Sequence, residues 1–372
     1  MAAMLAALAS AYHGPPQLTF ARAFSSWTLD PWSLTVIVVA GALYLTGVRR
    51  MRRAGTGWPA GRVICFCGLG LGFAVVATMS SVGVYQPVLL YIRSVQTILL
   101  LLVVPLFLAL GRPLTLIIGT VPRLGPWLDA AIRTRFARLA TFPAIITFVL
   151  VLTPFLIYFT PWYAAGFRSV LVAQLTQFAL LAPGFVFFWT LLRVDPVPKA
   201  YPYVVALWIT AAEVLGDAVL GLAVIADPGL LAATYYHALA RPWGPDLATS
   251  QVIGGGVLWI FGDIVGLPFL AAQLIQMIRE DEADAKVIDA ELDAQEAAAI
   301  ASAVIASTVT ASTVTASTGI ASDSRAGDAG TGDASTGADP AAARNAGVPV
   351  TQRPWWETDR RFADRFRAVD DQ

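Results

Sequence analysis

The sequence predicts an all-α fold. It reads as a polytopic membrane protein, a seven-transmembrane-helix bundle with the N-terminus outside, the C-terminus cytoplasmic and a disordered C-terminal tail. Three observations carry this. Of the 372 residues, 57% are hydrophobic and 13% charged, where a soluble domain is nearer a quarter charged. The mean hydropathy is +0.66, and the apolar residues crowd before residue 279 while the remainder is polar. The apolar runs reach the roughly 20 residues that a helix needs to cross a hydrocarbon core of about 30 Å, and none shows the short alternation of a barrel strand.

Residues 1–31 form an extracytoplasmic N-terminal segment. Its opening, MAAMLAALASAYHGPP, is apolar but lacks a basic stretch before it, which argues against a cleaved signal peptide. The membrane domain, 32–278, holds spans at 32–48, 62–84, 91–118, 140–160, 170–192, 202–226 and 253–278. Trp32, Tyr85, Tyr91, Trp162, Tyr163, Tyr201, Tyr235 and Tyr236 mark several ends, at the depth where amphipathic rings settle. Pro105, Pro143, Pro154, Pro183 and Pro268 fall inside spans, where neighbouring helices must satisfy the freed carbonyls. The loop PWLDAAIRTRFARLA alternates apolar and arginine faces, which suits either a helix along the inner leaflet or a solvated connector. Residues 279–300 read as a short acidic cytoplasmic helix. Residues 301–350, with the repeat IASTVTASTVTAST, read as a disordered low-complexity linker. The last segment, 351–372, carries Trp355, Trp356, Phe362 and Phe366 among charges and suits a short amphipathic helix.

Charge sets the orientation. Eleven basic residues fall in the first, third and fifth loops, against four (Arg22, Arg93, Arg168, Arg241) on the other side. That is a positive-inside bias. Net charge is zero, so nothing favours a nucleic-acid partner; the bilayer is the partner the composition demands. Cys65 and Cys67 lie two apart in a span, point to opposite sides of a helix, and read as small buried hydrophobes.

The polar residues at membrane depth are the candidate site. Ionisable groups there cost about 2.5–3.5 kcal/mol each on insertion scales, so they face the bundle interior and do something. Glu213 and Asp217 stand one helical turn apart in span six, on one face, and Asp263 of span seven lies at similar depth. Gln96 and Gln177 join them from spans three and five, and Gln251 from just before span seven, with Arg93, Thr97, Thr249, Ser250 and His237 as neighbours. Together they predict a polar pocket open to the outside. It could bind a cation, share a proton between carboxylates, or pair Arg93 with Glu213 or Asp217 simply to lock the bundle.

At this point the chain resembles a known family. GVYQPVLLYIRSVQTILLLLVVPLFLALGRPLTL, GFVFFWTLLRVDPVPKAYPY, DAVLGLAVI and YYHALARPWGPDLATSQVIGGGVLWIFGDI are similar to blocks of the CtaG-type cytochrome c oxidase assembly proteins. The resemblance implies a seven-span plasma-membrane protein that contacts cytochrome c oxidase subunits and takes part in copper delivery and respiratory-chain biogenesis. It also exposes departures. Where the family has histidines, this chain has Arg93, Thr97, Gln177 and Asp217, and of an Asp-Gln-Gln triplet at 249–251 the last glutamine survives. Imidazole and thiolate suit copper, whereas carboxylate, amide and hydroxyl oxygens suit harder cations or protons. The cofactor is therefore left unknown: the family implies copper, and most of its nitrogen donors are replaced here.

No catalytic set is present, so the chain reads as a non-enzyme: an oxidase assembly factor acting through a partner and an extracytoplasm-facing metal or proton site. The alternatives are a proton- or cation-coupled transporter and a structural paralogue that binds no metal. Against the transporter, the sequence shows no internal repeat relating two halves.

Overall fold

The structure, a computed structural model, describes residues 12–121, 124–198 and 201–323, among which the regular elements are helices and none is a strand. The chain divides into two compact units, Met1–Glu280 and Asp281–Gln372. After a short helix α1 (Phe20–Ser25), the first unit contains α2 (Pro31–Arg53), α3 (Ala60–Tyr85), α4 (Leu90–Leu110), α5 (Pro113–Thr120), α6 (Leu124–Ile132), α7 (Arg135–Ala140), α8 (Pro143–Phe159), α9 (Trp162–Arg168), α10 (Val170–Leu192), α11 (Tyr203–Ala226), α12 (Ala233–Ala238) and the first part of α13 (Leu247–Asp323).

By length and composition, six helices can cross a membrane: α2, α3, α4, α10, α11 and α13. The expected fourth span is different. α8 is only 17 residues long and meets α9 at 68°, so a seventh crossing exists only if this broken pair counts as one span. Pro143, expected inside that span, instead opens α8 at a first-turn position, where the missing N–H is not needed.

The third span also ends earlier than expected. Arg112 takes a left-handed conformation (φ 54°) between Gly111 and Pro113, so the run splits into α4 and the separate short α5. Asp195, beyond the end of α10, caps α5 from a distance. It accepts from the backbone N–H groups of Leu114 (3.2 Å) and Thr115 (2.9 Å) and from the Thr115 hydroxyl. A helix too short to persist alone is thereby tied to a distant loop.

Two spans contain π-helical stretches, Ile64–Gly70 in α3 and Leu99–Val103 in α4. The second runs into Pro105, one turn after the Leu101 carbonyl. Gly184 of α10 lies on that carbonyl: a side chain there would strike the Leu101 oxygen and come within 2.8 Å of the Pro105 ring. The proline and the glycine on different helices thus answer each other.

The main core takes Leu101 from α4, Leu150 from α8, Phe187 and Phe188 from α10, Leu220 from α11 and Leu258 from α13. A second core joins α2, α3 and α5, where Tyr44 stacks on Phe66 at 4.0 Å and donates to the Gly111 carbonyl at 2.7 Å. Val36, Leu43, Phe148, Phe178, Trp208 and Ile260 are exposed, the belt expected of helices whose solvent is lipid.

In the second unit the described residues, 281–323, are helical. Helix therefore continues through 301–323, part of the stretch read from sequence as a linker; its alanines carry the highest helix propensity of any residue. The rest of that linker and the 351–372 segment lie outside the described residues.

Candidate functional site

α11 carries the Glu213–Asp217 pair on the face that packs against α13. Both are closed off from solvent, 3% and 4% exposed. Each rests on a glycine of the opposing helix. A Cβ on Gly266 would come within 3.2 Å of Glu213 Oε2, and one on Gly262 would strike the Asp217 carboxylate. One turn further, Gly221 and Gly255 bring the two backbones into contact, a Cβ on either lying 2.5 Å from the other's carbonyl oxygen. Two carboxylates a turn apart thus fit two glycines a turn apart; a side chain at Gly262 would displace Asp217, whereas one at Gly266 would first meet Val214 at 2.7 Å. Towards the other end of the seam, Thr210 bonds to Gln273 Oε1 at 3.1 Å.

The charged neighbours of Glu213 are acids, Asp217 and Asp263. One oxygen of Asp217 and one of Asp263 are buried with no partner, as is the Gln273 amide nitrogen. Asp263 itself is half-buried, beside an open groove with Trp259, Ile260 and Ile264 on the outer face of α13. Of the three alternatives, the pairing of Arg93 with Glu213 or Asp217 is not observed. Arg93 donates instead to Gln86 Oε1 (2.7 Å) and Gln96 Oε1 (2.9 Å), under the rings of Phe167 and Tyr163.

The other predicted residues do not join one pocket; several of them do structural work elsewhere. Gln96 donates to the Ala77 carbonyl (2.8 Å), tying α4 to α3. Thr97 bonds to its own helix at the Arg93 carbonyl and to the Tyr158 hydroxyl of α8 at 3.1 Å. Gln177 accepts from Ser33 (2.9 Å), and the neighbouring Gln174 donates to Asp30 Oδ2 (2.8 Å), which fastens α10 to the start of α2. Gln251 closes the end of α11: its amide donates to the Val224 and Asp227 carbonyls, both at 2.9 Å, and accepts from Leu231 N–H. Thr249 and His237 are exposed. Ser250 and His237 do share a pocket, of about 380 Å³, with Arg241 and Trp243 rather than with the carboxylates.

Sequence reading missed the weight of Asp30 and Asp195, both outside the spans. Burial works to raise the Asp30 pKa, but hydrogen bonds from Ser33, Gln174 and the backbone outweigh it and hold the group below its ordinary value. At Asp195 burial wins over the Thr115 and Leu114 hydrogen bonds and raises the pKa. The signals were present: Asp30-Pro31 is a cap followed by a helix-opening proline, and Asp195 opens the DPVP loop.

The donors present do not fit copper. The chain has two histidines, His13 and His237, and among the described residues no group of three or more His, Cys, Asp or Glu side chains is placed to hold a metal ion. The acids that are buried together offer hard oxygens with glycine on the facing side. Such a pair can hold a proton between its members, because two like charges in a low-dielectric seam repel.

Comparison with known proteins adds to this geometry. The sequence profile of the family described as cytochrome c oxidase caa3 assembly factor matches residues 42–280. Among curated proteins the chain is similar to uncharacterized proteins of Mycobacterium bovis and Mycobacterium tuberculosis, each 26% identical over 303 residues, and to one of Mycobacterium leprae at 25%. These alignments take in 77% of this chain and 46% of each relative, so the chain spans about half the length of the curated relatives it matches. No solved structure matches.

Proposed function

We infer that this chain, which belongs to the cytochrome c oxidase caa3 assembly factor family, assists haem-copper oxidase biogenesis in the plasma membrane by contacting an oxidase subunit, without catalysis of its own. The observation that carries the reading is the family match over residues 42–280, which includes most of the first unit and both carboxylates of the α11–α13 seam. The distribution of arginines supports an orientation in which the Asp30 end faces outside.

Within this reading we tie activity to Glu213 and Asp217. Their burial against Gly266 and Gly262, with acids rather than arginines around them, supports a proton-sharing pair that responds to a partner's approach. The test is genetic. Deleting the gene should lower haem-copper oxidase content, read from haem absorbance of the membranes. Wild-type chain should restore it, and the double variant Glu213→Gln, Asp217→Asn should not, although it reaches the membrane in normal amount. Unchanged oxidase content after deletion would end the assembly reading.

A second reading, a proton- or cation-coupled transporter, is supported by the unpartnered oxygens of Asp217 and Asp263. It predicts proton or cation flux in proteoliposomes that the same double variant abolishes.

A further inference from the structure

A polar pocket lies away from the carboxylates, between α12 and the start of α13, in the segment Arg241–Asp246. The chain there wraps round one guanidinium. Arg241 donates to the carbonyls of Trp243 and Pro245, both at 2.6 Å, and lies 5.0 Å over the Trp243 ring. Gly244 (φ +78°) makes this possible, since a side chain on it would strike the guanidinium. Trp243 is in turn fixed by the edges of Tyr12 and Tyr85, each at 6.1 Å. A pocket of about 380 Å³ opens beside this ring of contacts, lined by Tyr236, His237, Arg241, Trp243, Asp246 and Ser250.

Two of the lining residues carry a donor with no acceptor. Trp243 Nε1 and Ser250 Oγ are buried without a partner, and Ser250 is 1% exposed. Arg241 commits two of its five N–H groups to the carbonyls and retains its charge in a half-buried setting. Burial works against that charge and lowers the Arg241 pKa from its ordinary value, with Tyr91, Tyr12 and Tyr236 partly offsetting it. The first turn of α13, which begins at Leu247, adds its own free N–H groups. Buried donors without acceptors each cost about 1–3 kcal/mol, so a ligand rich in acceptors is what this site lacks.

We propose that this pocket binds the phosphodiester of a phospholipid headgroup, with Arg241, Trp243 Nε1 and Ser250 Oγ as its donors. Two features select this ligand. The pocket sits at the start of α13, the end of a helix long and apolar enough to cross a membrane, which is where headgroups lie, and Val88, Leu239 and Leu247 complete its wall. The one carboxylate in the lining, Asp246, penalises a doubly charged anion more than a singly charged one. A phosphodiester carries one negative charge, whereas inorganic phosphate at neutral pH carries between one and two.

The full chain, purified in mild detergent, tests this by native mass spectrometry with added phosphatidylglycerol or phosphatidylethanolamine. Wild-type protein should retain one phospholipid beyond the loosely bound annulus. The double variant Trp243→Phe, Ser250→Ala leaves a smaller aromatic ring and a methyl group in place and removes both free donors; its retention should fall by about tenfold or more. Its melting temperature without lipid should not fall below the wild type, because losing two unpaired buried donors offsets the smaller ring, and this separates loss of the ligand from loss of the fold. Equal retention by the variant, or no retained lipid in the wild type, overturns the proposal. Inorganic phosphate that displaces the lipid, or stabilises the protein at millimolar concentration where lipid does not, also overturns it.

Discussion

At the scale of single residues, the α11–α13 seam turns on atoms that have no partner. Asp217 presents a buried oxygen with nothing to accept from. Replacing it by asparagine removes the charge while preserving shape, so Asp217→Asn should leave thermal stability unchanged or raise it by about 1 kcal/mol, measured by unfolding in detergent. Gly262→Ala should do the opposite. Its Cβ would strike the Asp217 carboxylate, and relief by moving the helices apart costs about 1–3 kcal/mol. If Gly262→Ala is as stable as wild type, the carboxylate does not sit on that glycine. Asp195 permits a pH test. Its pKa is raised on folding from the ordinary value of 3.8, so the folded state holds its proton more tightly than the unfolded. Its contribution is therefore greatest below 3.8 and is lost as pH rises through the raised value. Asp195→Asn should flatten stability across that window, and a wild-type slope in the variant would show the titration belongs to another group. The depth and spacing of Glu213 and Asp217 were legible because an acid in a long apolar run is conspicuous. The roles of Gln177 and Gln251 were not. A polar side chain in a span can serve a ligand or fasten a neighbouring backbone, and periodicity does not distinguish the two.

At the scale of elements, the sequence identified helices by length and apolarity, and that worked where runs were uninterrupted, as in α2, α10 and α11. It ran past the end of α4 because one arginine among many leucines barely changes a twenty-residue average. Gly111-Arg112-Pro113 was nevertheless a stop followed by a helix-opening proline. The close approach of α4 and α10 was not legible at all, since Leu101, Pro105 and Gly184 are distant in sequence. It yields a prediction: Gly184→Val should destabilise the fold by several kcal/mol, because the obstacle is a backbone carbonyl that cannot rotate away. Expression at normal levels with an unchanged melting temperature would refute that contact.

At the scale of the whole molecule, the division at Glu280 separates a membrane unit, with its own buried core, from a polar remainder. A chain truncated after residue 280 should therefore keep the helical content per residue of the membrane unit and unfold at a similar temperature; aggregation on purification would show that the core depends on the polar remainder. The family match stops at the same place, residue 280, so both cores and the carboxylate seam fall in the shared region. The five-residue wide turn in α4, Leu99–Val103, links these scales. A wide turn holds one residue more than the same length of ordinary helix, which sets the angular phase of everything before it against everything after. Removing a single leucine from 99–102 would restore regular winding with Arg93 and Ala109 still nearly in phase, whereas removing a residue from a regular stretch of α4 would swing Arg93 round by about 100°, away from Phe167 and Gln86. The wide turn thus works as a slack loop in the winding, able to give up one residue without turning the buried Arg93 away from its partners.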